Sequence, residues 1–407
     1  MLKVVSTKQV RLGMFIHELK GSWIDHPFWK KAFKLEDSTD LKKLHASAIK
    51  EVVIDTSKGL DVLQEVALDK PNEQQLPISK SIEEPQAIHQ TVQVKRVTAA
   101  EERVRAKQVI SASRKAVTSM FNDARMGKAI KAEAAMQFVD DIADSVSRNE
   151  GALISLVRLK TKDDYTYMHS VAVCALMVAL AKELGMSESD VKQAGLAGLL
   201  HDIGKAAVPI DVLNKPGALT DDEFSVVKLH PERGHELLIQ ANITDPVTLD
   251  VCLHHHEKVN GTGYPHRLQG DAISLFARMG AVCDVYDAVT SNRPYKDGWE
   301  PGVSLQRMAQ WAGHFDDVVF KAFVKSVGIY PIGSMVKLKS GRLAVVIDQS
   351  TKSLLTPIVK VFFSTKSKTR LPVEILDLSK GSANDAIVGH EDPTFWGVHD
   401  VDKLWAE

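Results

Sequence analysis

Between residues 169 and 284 the chain spaces out His169, His201-Asp202, His230, His255-His256 and Asp284. Imidazole nitrogens and carboxylate oxygens are ligands for a hard or borderline metal. A set of this kind constrains the fold, because residues more than a hundred positions apart must converge on one point. A helical bundle does this by aiming side chains from several helices into its core. Asp202 directly follows a histidine, so its carboxylate is placed to reach two ions. Two ions about 3.5–4 Å apart can share a hydroxide and clamp both sides of an in-line displacement at phosphorus.

Helical punctuation supports the bundle. Residues 151–327 read as helices broken at Gly185, Gly217 and Gly261-Thr-Gly263. Thr220-x-x-Glu223 forms a capping box that starts a helix just before His230, and Ser274 caps the helix carrying Asp284. Thr98-x-x-Glu101 opens one or two long helices that run to about Asn149, interrupted near Gly127. Such helices usually serve packing or dimerisation. Residues 1 to about 70 read as a small α/β module, with a helix over Asp40–Lys50 and a strand over Glu51–Asp55. The Pro-, Gln- and Ser-rich stretch 70–97 has linker composition. Strand-like runs return after Pro331, at Ser334–Leu338, Leu343–Ile347 and Pro357–Phe363, with Ser340-Gly341 as a hairpin turn. The expected class is mainly α: a helical-bundle catalytic domain over 140–340, an accessory module with linker and helix over 1–139, and a β-rich extension over 341–407.

Bulk properties exclude several function classes. The net charge of −1 argues against a nucleic-acid polymer as partner, which would require a basic stripe. The longest apolar run, Val171–Ala181, is too short to cross a bilayer. The opening residues lack the apolar core of a signal peptide, so a cytoplasmic location without membrane attachment is expected. Cys174, Cys252 and Cys283 form no C-x-x-C pair and read as buried, reduced thiols.

With 15 histidines in the chain, some coincidence is expected. His17, His26, His45, His89, His390 and His399 fit ordinary roles, and His254 reads as a bystander to the pair that follows it. The remaining set stands out because of what surrounds it: His201-Asp-Ile-Gly-Lys205, Lys215-Pro-Gly-Ala-Leu-Thr220, His255-His-Glu257, Asn260-Gly-Thr-Gly-Tyr-Pro265, Asp284-Val-Tyr-Asp287 and Arg293-Pro-Tyr-Lys296. In this order the motifs resemble the HD-GYP family, bacterial cyclic di-GMP phosphodiesterases within the HD superfamily of metal-dependent phosphohydrolases. The resemblance covers roughly residues 140–340. Gly13-Met14 and Trp23-Ile-Asp-His-Pro-Phe28 are similar to an accessory domain of unknown function that often precedes HD-GYP.

The resemblance implies a ligand set. His169, His201, Asp202 and Asp284 would hold one ion. Asp202 would bridge to a second held by His230, His255 and His256. The family suggests iron or manganese, and a histidine-rich site also takes zinc. Some members carry a glutamate four residues before the first histidine, associated with a third metal. Here that position is Tyr165, so two ions are expected, with linear pGpG as the product and GMP as a further step.

The resemblance also implies substrate contacts. Lys205, one helical turn after Asp202, would stabilise phosphoryl charge. Arg293 and Lys296 would approach the phosphates or guanine, and Gly263 and Tyr264 would lie on a loop near the substrate. Asp287 shares a helix face with Asp284 and would orient a ligand. The main alternatives are hydrolysis of another cyclic dinucleotide, such as cyclic GMP-AMP, and a non-catalytic scaffold that binds diguanylate cyclases. An HD nucleotidase or alarmone hydrolase would fit the His-Asp pair alone, but not the Gly-Tyr-Pro loop.

Overall fold

The structure, a computed structural model, describes residues 2–20, 33–35, 41, 44–45, 49–61, 96–128, 132–159, 165–291, 298–350, 352–380 and 385–406. Trp23, the Pro27-Phe28-Trp29 cluster, most of the 70–97 stretch, and both Arg293 and Lys296 lie outside the described residues. The chain divides into two compact units, Met1–Gln93 and Val94–Glu407.

The first unit is built on an antiparallel sheet of β1 (Leu2–Ser6), β2 (Phe15–Lys20), β3 (Phe33–Lys34) and β4 (Glu51–Asp55), in the order β1-β4-β2-β3. β1 and β4 pair from Leu2 opposite Asp55 to Ser6 opposite Glu51. Val52 and Ile54, two residues apart on one face of β4, are fully buried. They join Met14, Ile16, Leu35, Leu44 and Ile49 in the core of the unit. Of the helix expected over Asp40–Lys50, Leu41, Leu44 and His45 are helical, while Ile49 and Lys50 are not.

The second unit begins with α1 (Ala99–Arg125), where the Thr98–Glu101 capping box forms in both directions. Its buried residues Ala106, Ser113, Val117, Met120, Phe121 and Ala124 recur at helical spacing. That face packs on α2 (Ala132–Arg148), α3 (Glu150–Val157) and α4 (Tyr165–Glu183). The break between α1 and α2 comes at Met126–Gly127, where Gly127 has a φ of +69°.

α4 is the central helix. From Val171 to Ala181 every residue is buried, as expected of a helix that is apolar all round. Against and beyond it lie α5 (Glu188–Leu200), α6 (Ile210–Leu213), α7 (Asp221–Val227), α8 (His230–Gln240), α9 (Pro246–His254), α10 (Leu275–Thr290), α11 (Pro301–Met308) and α12 (Asp317–Val327). Thr220 and Ser274 cap α7 and α10 as their sequence positions suggest. No described helix is long and apolar enough to cross a membrane.

After α12 come β5 (Met335–Leu338), β6 (Arg342–Asp348), β7 (Ile358–Ser364), β8 (Thr369–Asp377) and β9 (Ile387–His390), antiparallel in the order β8-β7-β6-β5-β9, followed by α13 (Val401–Ala406). The Ser340-Gly341 turn joins β5 to β6, with Gly341 at a φ of +82°. This sheet starts at Met335, within the strand expected over Ser334–Leu338, and β5 takes its partners from β6 and β9. Mainly helical with a sheet in each unit, the architecture matches the expected class. The three cysteines are free and buried, and burial pushes their thiols up.

Candidate metal centre

The centre is assembled around the end of α5. His201 closes that helix, and Asp202 opens a short 3-10 turn, Ile203–Ala207. In a 3-10 turn residues i and i+3 eclipse, so the Lys205 ammonium lies directly over the Asp202 carboxylate and pairs with Oδ2. The sequence expectation was a continuing α-helix. The tighter turn brings the same two residues together more directly.

Gly204 explains why His230 lies beside Asp202. A Cβ at residue 204 would come within 1.9 Å of the His230 carbonyl oxygen and 2.5 Å of the Gly234 nitrogen. Only glycine lets the start of α8 pack on this turn.

His169 comes from α4, His230 from the start of α8, His255 and His256 from the end of α9, and Asp284 from α10. The structure therefore brings together all seven side chains that the sequence singled out. Asp202 divides them. Its Oδ2 lies 3.4 Å from His169 Nε2 and 3.3 Å from His201 Nε2. Its Oδ1 lies 3.2 Å from His230 Nε2 and 3.8 Å from His255 Nε2. Two groups result that share Asp202: His169, His201 and Asp202, and Asp202, His230, His255 and His256. Asp284 spans both, with Oδ1 2.9 Å from His169 Nε2 and Oδ2 3.7 Å from His256 Nδ1.

Tautomers follow from the outer contacts. A backbone carbonyl can only accept, so Nδ1–H donates from His201 to Gly198 O (2.8 Å), from His230 to Val227 O (2.7 Å) and from His255 to Val251 O (3.0 Å). This turns three Nε2 lone pairs inward. His230 Nε2 and His255 Nε2 are 3.3 Å apart, a repulsive contact unless a cation lies between or beside them. His201 Nε2 and Asp202 Oδ1 are buried without a well-formed hydrogen bond. Orphaned acceptors of this kind around a carboxylate fit a divalent cation.

His169 is held differently. Asp287 Oδ2 is 2.6 Å from its Nδ1, which aims Nε2 at the centre. Asp287 thus contacts a cluster member from outside the cluster, an arrangement often seen behind metal-binding histidines.

Protonation states suit ligation, which needs ionised carboxylates and neutral imidazoles. Burial alone would raise Asp202, but Lys205, His201 and His230 outweigh it and hold the carboxyl well below its usual range. Asp284 is lowered in the same way by His169, His256 and His201. Burial and neighbouring imidazoles press His255 far down, and burial pushes His256 down to about 3. His169 goes the other way. Burial opposes its proton, but Asp284 and Asp287 raise it, and a cation held at Nε2 would take that proton's place.

Tyr264 borders the centre, its ring stacked on His256 with centroids 4.7 Å apart. Gly263 is buried for a backbone reason: a Cβ there would meet Glu257 Cα at 2.5 Å and the His256 oxygen at 2.6 Å. His254 lies outside the cluster and bonds to Asp250 and His266. Sequence reasoning missed the separate part played by Glu257, whose buried carboxylate accepts the backbone N–H of His266 at 2.7 Å and of Leu268 at 3.1 Å. The signal available was an acid beside two ligands that is not itself a ligand.

Known proteins resemble this chain along its whole length. A domain of unknown function, DUF3391, matches residues 2–135, and the HD domain matches residues 144–319. The chain is 53% identical to cyclic di-GMP phosphodiesterase PA4108 of Pseudomonas aeruginosa over 406 residues, 100% of this chain and 96% of that protein. The chain belongs to the HD-GYP family. Other relatives match over less of their length. The cyclic di-GMP phosphodiesterase response regulator RpfG of Xanthomonas campestris is 45% identical over 34% of this chain and 37% of its own. A 3'3'-cGAMP-specific phosphodiesterase 2 of Vibrio cholerae is 36% identical over 40% of this chain and 31% of its own.

Proposed function

We propose that this HD-GYP chain is a metal-dependent phosphodiesterase that hydrolyses cyclic di-GMP to linear pGpG, using two divalent cations, iron or manganese. The carrying observation is the division of Asp202, each of whose oxygens faces its own pair of imidazole nitrogens. Identity of 53% along the whole chain with a named cyclic di-GMP phosphodiesterase supports the substrate.

In this reading His169, His201, Asp202 and Asp284 hold one cation, and Asp202, His230, His255 and His256 hold the other. Bound cations supply Lewis-acid stabilisation of the phosphoryl group and make water at the site more acidic. Lys205 offsets charge on the phosphoryl oxygens as the ribose 3′ oxygen leaves. Asp287 keeps His169 in the orientation that faces Asp202 and Asp284. Arg293 and Lys296 bind phosphate or guanine, and Gly263 and Tyr264 shape the substrate's side of the centre. Tyr165 stands where a glutamate accompanies a third metal, which supports two ions and pGpG as the early product.

The test is turnover of cyclic di-GMP by protein purified without oxygen, with metal counted on the same sample. About two ions per chain and accumulation of pGpG are expected. GMP as the dominant early product would overturn the product assignment. Cleavage of cyclic GMP-AMP in preference to cyclic di-GMP would favour a second reading, which the Vibrio cholerae relative supports.

A further inference from the structure

The loop that carries Tyr264 is fastened twice. On its inner side the Glu257 carboxylate, in a residue 2% exposed, holds two of the loop's backbone N–H groups. Tyr264 N–H donates to the His256 carbonyl at 3.2 Å.

The second fastening is a chain of side chains. His266 Nδ1 lies 2.9 Å from His254 Nε2, and His254 Nδ1 lies 2.7 Å from Asp250 Oδ1. The Ser274 hydroxyl donates to the other oxygen of Asp250. Burial raises Asp250, but His254 and Ser274 outweigh it and keep its carboxyl below the usual range. An ionised carboxylate only accepts, so His254 donates from Nδ1, and in the neutral ring Nε2 is then the acceptor for His266 Nδ1–H.

The attachment points matter. Asp250 and His254 belong to α9, which leads into His255 and His256. Ser274 caps α10, the helix of Asp284 and Asp287. One side chain on the loop is therefore tied to both helices that frame this side of the centre.

We propose that His254 and His266 form a latch that positions Tyr264 against His256, making both histidines positioning residues for the substrate. The proposal rests on reading the centre as the phosphodiesterase site. Neither residue is among the cluster's ligands, so substrate affinity should respond while metal content does not.

The test uses the full-length, metal-loaded enzyme. His266→Leu removes the side-chain donor but keeps the backbone N–H that Glu257 holds. KM for cyclic di-GMP should rise about fivefold, the equivalent of one lost hydrogen bond, with kcat changed less than about twofold. Metal content should be unchanged. His266→Asn places an amide N–H where Nδ1–H stood and should restore KM. Amide hydrogen exchange over residues 262–268, measured without substrate, should quicken in His266→Leu and recover in His266→Asn. An unchanged KM in His266→Leu, or no recovery in His266→Asn, overturns the proposal. If the unmutated enzyme does not cleave cyclic di-GMP, the functional reading has failed. Exchange then decides the latch by itself: unaltered rates in His266→Leu overturn it.

Discussion

Asp202 and Lys205 touch each other, yet they should fail differently when removed. Lys205→Ala takes away the ammonium proposed to face the phosphoryl group but leaves all seven side chains of the cluster in place. Turnover should fall about a hundredfold with metal content nearly unchanged, as measured by steady-state kinetics and metal analysis on one sample. Asp202→Ala deletes the carboxylate common to both groups, so metal and turnover should disappear together. Loss of metal in Lys205→Ala would show that the ammonium maintains the cluster and does not act on substrate. Much at this scale was legible in the sequence. Asp287 could be placed beside the cluster because it lies three residues from Asp284 on one helix. Glu257 could not, because the N–H groups it accepts are nine and eleven residues further along and meet it only once the loop has folded back. The contact of His254 with His266 was hidden for the same reason: His266 is brought to it by the turn.

At the scale of elements, the start of α1 is bound to the end of α2 by a buried pair. Glu102 accepts from Arg148 at 2.8 and 2.9 Å and from Ser145 at 2.8 Å. Its carboxyl is lowered: burial opposes ionisation, but Arg148 and Ser145 outweigh it. A depressed folded-state value means that the pair's contribution is present above the ordinary carboxylate range and is lost as pH falls through the lower, folded value. Arg148→Ala leaves the buried carboxylate with only Ser145 and the more distant, exposed Arg105, and should cost about 2 kcal/mol near neutral pH. Denaturant unfolding of the two proteins should converge in strong acid, and a difference that persisted there would rule out the ionised pair as its source. Helix starts were well marked in the sequence, since Thr98, Thr220 and Ser274 carry their capping chemistry locally. β8 was not. Its Leu371, Val373 and Ile375 alternate, but Pro372 within the run argues against a strand, and only a place at the sheet edge accommodates it.

For the molecule as a whole, the chain's last helix closes the second unit. Trp405 is fully buried, its ring 5.6 Å from the Arg158 guanidinium, and Arg158 donates to the Ile332 carbonyl at 3.2 Å. Trp405→Ala should destabilise this unit by about 3 kcal/mol, read as a lower denaturant midpoint, while turnover by the folded fraction is retained. No effect on the midpoint would mean that the tail only rests on the surface. Such a return of the C-terminus onto residues 158 and 332 leaves no pattern in the sequence, because it is set by tertiary packing alone. α1 has a related property. It falls inside the 2–135 match to the domain of unknown function, yet its apolar face is packed in the second unit. Anyone grafting a different N-terminal module onto this enzyme at the family boundary would therefore exchange a helix of the second unit along with it. A hybrid joined ahead of Thr98 keeps α1 with its own partners and changes only what lies upstream.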